Sequence, residues 1–254
     1  MKKNLKDLIN ILKELRAPDG CKWDREQTHE SLIPYLLEET YEVIEAIEQK
    51  DYVLLKEELG DLLLHVVFQA ELASEKNNFN IYDSISNIIE KLINRHPHIF
   101  SDKKNQTYEK GSWELAKKKE KKRNSILEGV PKAMPALTKA SRIQEKASGV
   151  GFDWDNLSQV YDKVYEELDE LKDAIKSKKE NEIQDEFGDV LFSMVNLSRH
   201  ISINPEVALD KSILKFKDRF QTLEKHLDEN KLEIKNQSLS QLDKLWNKIK
   251  KKEI

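Results

Sequence analysis

Two sets of four acidic residues recur in this sequence with the same internal spacing, and the pattern is suited to binding a metal ion. In the first set, Glu39 and Glu42 are three positions apart and are followed by Glu58 and Asp61, which are also three apart. The second set repeats this spacing and consists of Glu167, Glu170, Glu186 and Asp189. Because carboxylates without cysteine or paired histidine are ligands for hard cations, both sets predict a site for Mg²⁺, with Mn²⁺ as a substitute.

The surrounding sequence predicts that helices carry these acids inward. Positions three apart lie on the same helix face, and within residues 36–47 Glu39 falls inside the arc of apolar side chains. Glu58 similarly lies between Leu54 and Leu62 on a helix that is apolar almost all round. A short connection makes two such helices antiparallel neighbours, so that the four carboxylates of each set converge. Isolated buried carboxylates are costly and repel one another, so a cation is required to satisfy them.

Two other interpretations of the acids fit less well. The acids could form a solvated surface with ion pairs to lysines, as we expect for Glu38 and Glu45 on the outer side of the helix. For the two acidic sets that are predicted to point inward, that interpretation requires acidic residues to stand on the apolar face of a helix twice, at identical spacing. A di-iron bundle would need Glu-x-x-His on two helices, whereas the single such spacing, Glu26 to His29, stands in a predicted loop.

The acidic sets belong to a duplication that extends over the whole chain. EETYE at 38–42 recurs as EELDE at 166–170, and EELGD at 57–61 recurs as DEFGD at 185–189. Further matches are KLINR at 91–95 with KFKDR at 215–219, WELAK at 113–117 with WNKIK at 246–250, and CKWD at 21–24 with FDWD at 152–155. One helical unit therefore occurs twice.

Periodicity predicts helices throughout the chain and no strand of useful length. The predicted helices are at 4–16, 30–49, 52–74, 81–95, 108–123, 135–147, 156–177, 179–202, 205–229 and 238–252. Residues 124–137 contain one glycine and two prolines between charged helices, which is typical of a linker. We therefore predict an all-α fold of tandem duplicated helical bundles, with an N-terminal domain at 1–123, a linker at 124–137 and a C-terminal domain at 138–254.

Composition limits the classes of partner. The net charge of −4 combines 43 basic with 47 acidic residues, so bulk charge indicates neither a nucleic acid nor a membrane. No stretch approaches the ~18 consecutive apolar residues of a membrane span. The single cysteine, Cys21, excludes an intramolecular disulfide and fits a reducing compartment. We expect a cytoplasmic protein with neither a nucleic-acid partner nor a membrane partner.

Basic and aromatic residues follow each acidic set and suit a nucleotide. Metal ions held by acids attract oxygen-rich anions, of which phosphates are the common case. Lys215 and Arg219 are four positions apart, as are Trp246 and Lys250, so that each pair shares one helix face. The corresponding residues of the first half are Lys91, Arg95, Trp113 and Lys117. An alternative stays open, in which the tryptophan belongs to the core and the basic residues are solvated.

The sequence as a whole resembles the all-α nucleoside triphosphate pyrophosphohydrolases of the MazG family in their two-domain form. The resemblance rests on the two sets of acids, on LRAPDGCKWD at 15–24, on RHPHIF at 95–100 and on SRIQEKASGVGFDW at 141–154. It implies a Mg²⁺-dependent hydrolase that cleaves a ribo- or deoxyribonucleoside triphosphate to the monophosphate and pyrophosphate. It also implies a homodimer in which helices of two subunits complete the bundles.

The resemblance further implies roles for individual residues. The metal ligands of the second half would be Glu167, Glu170, Glu186 and Asp189, and those of the first half would be Glu39, Glu42, Glu58 and Asp61. The nucleotide would be held by Lys163, Lys215, Arg219, Trp246 and Lys250. Tyr35 stands at the position that aligns with Lys163, so one phosphate contact is missing from the first half. We therefore expect the second half to be the main catalytic unit.

The expected reaction uses a water molecule and no covalent nucleophile. Metal ions would polarise the α-phosphorus and lower the pKa of a bound water, and Glu166 or Glu167 would take its proton. Lys215 and Arg219 would offset the charge of the departing pyrophosphate. Two rival functions are a regulatory module that binds Mg-nucleotide without hydrolysing it, and a helical assembly protein whose acids are only ion-paired.

Overall fold

The structure is a computed structural model that describes residues 3–100 and 112–251. Every regular element within these residues is helical, which confirms the predicted all-α fold. The start of the helix predicted at 108–123 and the last residue of the one predicted at 238–252 lie outside the described residues. The chain divides into two compact units, Met1–Thr107 and Tyr108–Ile254. In the part of the chain that the structure describes, no helix is both long enough and apolar enough to cross a membrane.

Six helices make up the described part of the first unit. They are α1 (Leu5–Arg16), α2 (Lys22–Glu26), α3 (Ile33–Gln49), α4 (Tyr52–Glu75), α5 (Ile81–Arg95) and α6 (Pro97–Phe100). Polar caps fix where three of these helices begin, because Asn4, Asp51 and Asn80 each accept hydrogen bonds from the first-turn N–H groups of α1, α4 and α5. The starts of these three helices are thus set by local sequence.

The core of the first unit is concentrated on the C-terminal half of α4. There, Val67 and Phe68 pack with Leu12 of α1 in one buried cluster. Arg16 of α1 also binds both carboxylate oxygens of Glu75 on α4, at 2.5 and 2.7 Å. This packing anchors one end of α4 and leaves its N-terminal half, which carries the acids, to pair with α3.

The second unit also contains six described α-helices. They are α7 (Ser112–Glu120), α8 (Ala136–Gly149), α9 (Leu157–Ser177), α10 (Glu180–His200), α11 (Pro205–Glu229) and α12 (Leu239–Lys250). Helix α10 packs on α9 and α8, where Val160 and Leu197 are buried. Helices α11 and α12 pack on each other around Leu223 and Ile249.

Matching two-residue connections hold the acid-bearing helices side by side. Lys50 ends α3 in the left-handed conformation at φ 57°, and Asp51 then begins α4. Lys178 ends α9 in the same conformation at φ 57°, and Lys179 begins α10. A left-handed residue at a helix C-terminus reverses the chain sharply, so each connection makes its two helices antiparallel neighbours, as predicted.

Helix α7 packs in the second unit, whereas the sequence had placed it in the first. Glu114 of α7 is buried and accepts hydrogen bonds from Lys146 of α8, at 2.8 Å, and from Arg142. Burial opposes ionisation of the Glu114 carboxyl, but these two cations outweigh it and lower its pKa. The compact units therefore divide before the linker that we expected at 124–137.

Candidate metal centres

The first acid cluster lies between α3 and α4. Carboxylate oxygens of Glu39, Glu58 and Asp61 lie within 4.8 Å of one another. One cation can contact all three, since metal–oxygen distances for Mg²⁺ and Ca²⁺ are about 2.0–2.6 Å. Glu58 is only 8% exposed. Glu42, the fourth predicted ligand, is close enough to Glu39 and Glu58 to raise the pKa of both.

The second acid cluster repeats this arrangement on α9 and α10. Oxygens of Glu167, Glu170 and Glu186 lie within 4.8 Å of one another, and Glu167 is only 6% exposed. Asp189, the fourth predicted ligand, lines an adjoining cavity together with Glu167. The structure thus brings together three of the four predicted ligands in each half, and a donor set of carboxylate oxygens fits Mg²⁺ or Mn²⁺.

Burial and mutual repulsion raise pKa values in both clusters. Burial, followed by the neighbouring Glu42 and Asp61, raises the pKa of Glu39 to about 7. The same causes raise the pKa of Glu58. In the second cluster the pKa of Glu170 is raised, first by burial and then by the adjacent acids. A divalent cation would reverse these shifts, because it favours the ionised carboxylates.

The raised pKa of Glu39 predicts how pH affects the metal-free first unit. Because folding raises this pKa from 4.5 to about 7, the folded state holds more protons than the unfolded state in that interval, and stability must fall as pH rises through it. We expect Glu39→Gln to reduce this fall in calorimetric unfolding with EDTA at a series of pH values, because Glu58, whose pKa is also raised, still contributes to it. Glu38→Gln, at an exposed neighbour, should preserve it. An equal pH dependence in all three proteins would contradict the prediction.

Lys163 places a cation of the protein itself beside the second cluster. Its Nζ lies 2.6 Å from Glu167 and 3.0 Å from Glu166, and hydrogen bonds to these carboxylates raise the pKa of Lys163. At the aligned position of the first half, the ring of Tyr35 stacks on His65 with centroids 6.5 Å apart. The second cluster is therefore partly neutralised by Lys163, whereas Tyr35 supplies no charge to the first.

The other residues predicted to hold the nucleotide lie on α11 and α12. None of Lys215, Arg219, Trp246 and Lys250 lines the cavity beside the second acid cluster. The Trp246 ring packs on Phe216 with centroids 5.1 Å apart and adjoins the core cluster of α11 and α12. This is the core position that the sequence left open as an alternative for the tryptophan. Nucleotide binding by these four residues stays a prediction.

Their first-half counterparts are divided between the two units. Lys91 and Arg95 lie on α5, and Lys91 lines a separate surface pocket near the start of that helix. Trp113 and Lys117 lie on α7, which belongs to the second unit. The first compact unit therefore does not contain the aromatic and basic pair that the sequence assigned to it.

A cavity of about 340 Å³ adjoins the second acid cluster and was not predicted from the sequence. Lys163, Glu167 and Asp189 line the cavity, and Trp154 and Phe192 supply aromatic surface. One signal for it was present in the sequence. The match of FDWD with CKWD places a tryptophan ahead of the acids in both halves.

A network of charged, hydrogen-bonded side chains around Asp153 supports the wall of this cavity. Asp153 accepts hydrogen bonds from Ser148 Oγ at 2.6 Å and from Arg199 Nη1 at 2.9 Å, and it lies 3.0 Å from His200 Nε2. Burial opposes ionisation of Asp153, but these donors outweigh it and lower its pKa. The segment that carries Trp154 is thereby tied to both α8 and α10.

Comparisons with known proteins agree with the duplicated architecture. The family model of the MazG nucleotide pyrophosphohydrolase domain matches residues 27–100 and 156–227, so each match contains one acid cluster. The chain is 48% identical to the nucleoside triphosphate pyrophosphohydrolase/pyrophosphatase MazG of Thermotoga maritima, over 96% of this chain and 94% of that protein. It is 41% identical to the nucleoside triphosphate pyrophosphohydrolase of Escherichia coli K12, over 97% of each chain.

Proposed function

Because this chain belongs to the MazG nucleotide pyrophosphohydrolase family, we propose that it hydrolyses nucleoside triphosphates to nucleoside monophosphates and pyrophosphate. The observation that carries the proposal is the convergence of Glu167, Glu170 and Glu186 within 4.8 Å beside a cavity of about 340 Å³. Acids in this arrangement hold divalent cations, which attract a triphosphate, and the cavity offers room for the attached base.

We propose Mg²⁺ as the bound ion, with Mn²⁺ as a substitute. The converging donors are carboxylate oxygens, which these hard cations prefer. Glu167, Glu170 and Glu186 would hold the ion, with Asp189 beside them. When bound, such an ion offsets phosphate charge and lowers the pKa of a coordinated water.

The positions of Glu166 and Lys163 support the proposal that they move a proton and compensate charge. The Glu166 side chain is 55% exposed and is held 3.0 Å from Lys163 Nζ, so water can reach it. We propose that Glu166 takes the proton of the attacking water, with the more buried Glu167 as the alternative base. The water oxygen bonds to phosphorus, the bond between the α-phosphorus and the oxygen that bridges to the β-phosphate breaks, and pyrophosphate leaves with the electron pair. Lys163 donates to a phosphate oxygen and offsets the developing charge.

We further propose that the chain acts as a homodimer. Both acid-bearing helix pairs expose apolar stripes with the same spacing, and the side chains in them are about half exposed: Leu59, Leu63 and Val66 on α4, and Phe187, Leu191 and Met194 on α10. Large exposed apolar patches mark interaction surfaces. A second copy of the chain would cover these stripes, and it would offer a helix α11, with Lys215 and Arg219, to complete a nucleotide site.

The homodimer predicts a specific effect of charged substitutions. We expect Leu63→Glu combined with Leu191→Glu to convert the dimer to a monomer in sedimentation equilibrium, because an unpaired charge in an apolar interface is costly. Leu239→Glu changes a more exposed leucine at the start of α12, and it should leave the dimer intact. A monomeric unmodified chain would overturn the proposal.

The proposed reaction is tested by incubating the full chain with Mg²⁺ and dATP or dCTP. We expect pyrophosphate and the monophosphate as products. Release of phosphate would indicate a different phosphohydrolase. Tight binding of Mg-nucleotide without turnover would favour the regulatory module, and neither binding nor turnover would leave the assembly protein.

A further inference from the structure

The segment between α7 and α8, which the sequence predicted to be a linker, contributes to the cavity beside the second acid cluster. Leu127 of this segment lines the cavity, as do Glu167 and Asp189 of the cluster. Leu127 is 42% exposed, so its side chain offers apolar surface to a molecule that enters the cavity. We call residues 125–128 the strap.

Hydrogen bonds within the strap give it the shape of a turn. The Ser125 N–H group donates to the carboxylate of Glu128 at 3.0 Å, and the Leu127 N–H group donates to Ser125 Oγ at 3.2 Å. Gly129 follows with a φ of 81°, a conformation that other residues rarely adopt. These features are all local. They fix the shape of the strap but not its position against α8.

Lys146 of α8 fixes that position. The residue is only 2% exposed. Its Nζ donates to the carbonyl oxygen of Ile126 at 2.9 Å, to that of Glu128 at 3.4 Å, and to the carboxylate of Glu114 at 2.8 Å. Since an ammonium group has three N–H donors, these acceptors satisfy it completely. The two carbonyl groups flank Leu127, so Lys146 holds the backbone on both sides of the residue that lines the cavity.

The ion pair with Glu114 keeps Lys146 in place. A buried ammonium group is costly unless it is paired and hydrogen-bonded, so Lys146 and Glu114 depend on each other. The contact that packs α7 in the second unit therefore also holds the strap. Lys139 of α8 provides a contrast, because its Nζ donates to the carbonyl oxygen of Lys132 at 2.7 Å, and Lys132 does not line the cavity.

We propose that Lys146 is a positioning residue of the second unit, which holds Leu127 against the cavity so that Leu127 contacts the bound substrate. The proposal rests on the proposed hydrolase function for what enters the cavity, but it concerns the strap and not the chemistry at the acids. Contact with Leu127 is the same before and during the reaction. Its loss should therefore raise KM and leave kcat nearly unchanged.

The test measures KM and kcat for pyrophosphate release from dATP in matched variants. We expect Leu127→Ala to raise KM about five- to tenfold, because apolar contact surface is lost. Lys146→Met should raise KM by a similar factor, and Lys146→Arg, which keeps the charge and the donors, should restore most of it. Lys139→Met should keep the KM of the unmodified chain. So should Leu232→Ala, which changes a leucine of similar exposure, 44%, outside the cavity.

A double variant separates positioning from a general structural role. If Lys146 acts through Leu127, then Lys146→Met should add little to the KM of Leu127→Ala, whereas a structural defect would raise KM equally in both backgrounds. Equal effects in both backgrounds, or a lower kcat with unchanged KM in Lys146→Met, would overturn the proposal. Where Lys146→Met does not fold, its combination with Glu114→Gln, which also removes the partner charge, takes its place.

Two further measurements need no turnover. Amide hydrogen exchange of the strap should be faster in Lys146→Met and unchanged in Lys139→Met, and the affinity for dAMP should fall in Leu127→Ala and Lys146→Met by the same factor as KM rises. Unchanged exchange in Lys146→Met, or unchanged affinity in Leu127→Ala, would overturn the proposal. The expected losses of affinity without hydrolysis of any triphosphate would contradict the proposed function and leave the role of the strap supported.

Discussion

Replacing Glu186 by glutamine is expected to lower pyrophosphate release about a thousandfold. Glu186 meets Glu167 and Glu170 within 4.8 Å, and glutamine keeps the size of the side chain while removing a negatively charged metal ligand. A bound metal supplies several kcal/mol of transition-state stabilisation, and about 1.4 kcal/mol corresponds to a factor of ten in rate. Steady-state assays of pyrophosphate with saturating Mg²⁺ measure the effect directly.

Two matched variants separate this effect from a general loss of structure. Glu58→Gln makes the same change at the same motif position in the first half, and most turnover should remain because the second half is the expected catalytic unit. Asp173→Asn removes an exposed carboxylate of α9 that pairs with Lys176 at 2.7 Å, and the rate should not change. Turnover that survives Glu186→Gln but is abolished by Glu58→Gln would reverse the assignment of the catalytic half.

Replacing Lys163 by methionine is expected to reduce turnover about a hundredfold while strengthening the binding of Mn²⁺. The Nζ of Lys163 lies 2.6 Å from Glu167, so a metal ion bound at Glu167 would share that carboxylate with the ammonium group. Removing the ammonium leaves the carboxylate to the metal. It also removes a positive charge that, in the proposed mechanism, offsets the phosphate charge in the transition state, and such groups contribute about 10²–10³ in rate.

The opposite directions of these two effects distinguish a catalytic lysine from a structural one. Lys176→Met removes an exposed lysine of the same helix that pairs with Asp173 at 2.7 Å, and neither quantity should change. Lys163→Arg keeps the charge and should recover part of the turnover. Weaker Mn²⁺ binding combined with unchanged turnover in Lys163→Met would contradict the role proposed for this residue.

Helix limits were predictable where capping residues and periodicity coincide. Helix α11 spans Pro205–Glu229 as predicted, because Asn204 caps it and Pro205 suits its first turn. Helices α2 and α6 were missed, since four or five residues are too few to show a period. The packing of α7 was also missed, because it depends on Glu114 meeting Lys146, which is 32 positions away.

The same distinction holds for the candidate site. Features that depend on nearby positions in the sequence could be predicted, whereas features that depend on contacts between distant residues could not. The acids converge because of a three-residue spacing and a two-residue connection, and both are visible in the sequence. Lys163 and Glu167 are four apart on one helix, so their ion pair was also open to prediction. The cavity was not, since Gln144 and Phe192 meet across 48 positions. The core packing of Trp246 likewise depends on how α11 meets α12.

We propose that the inward carboxylates of each half hold a divalent cation. The most direct test is a titration of the full chain with Mn²⁺ in which electron paramagnetic resonance measures the free ion. The double variant that combines Glu58→Gln with Glu186→Gln is titrated in the same way. We predict saturable binding to the unmodified chain that Mg²⁺ displaces, and greatly weakened binding to the folded double variant. Equal binding by both proteins, or no saturable binding to the folded unmodified chain, would contradict the claim.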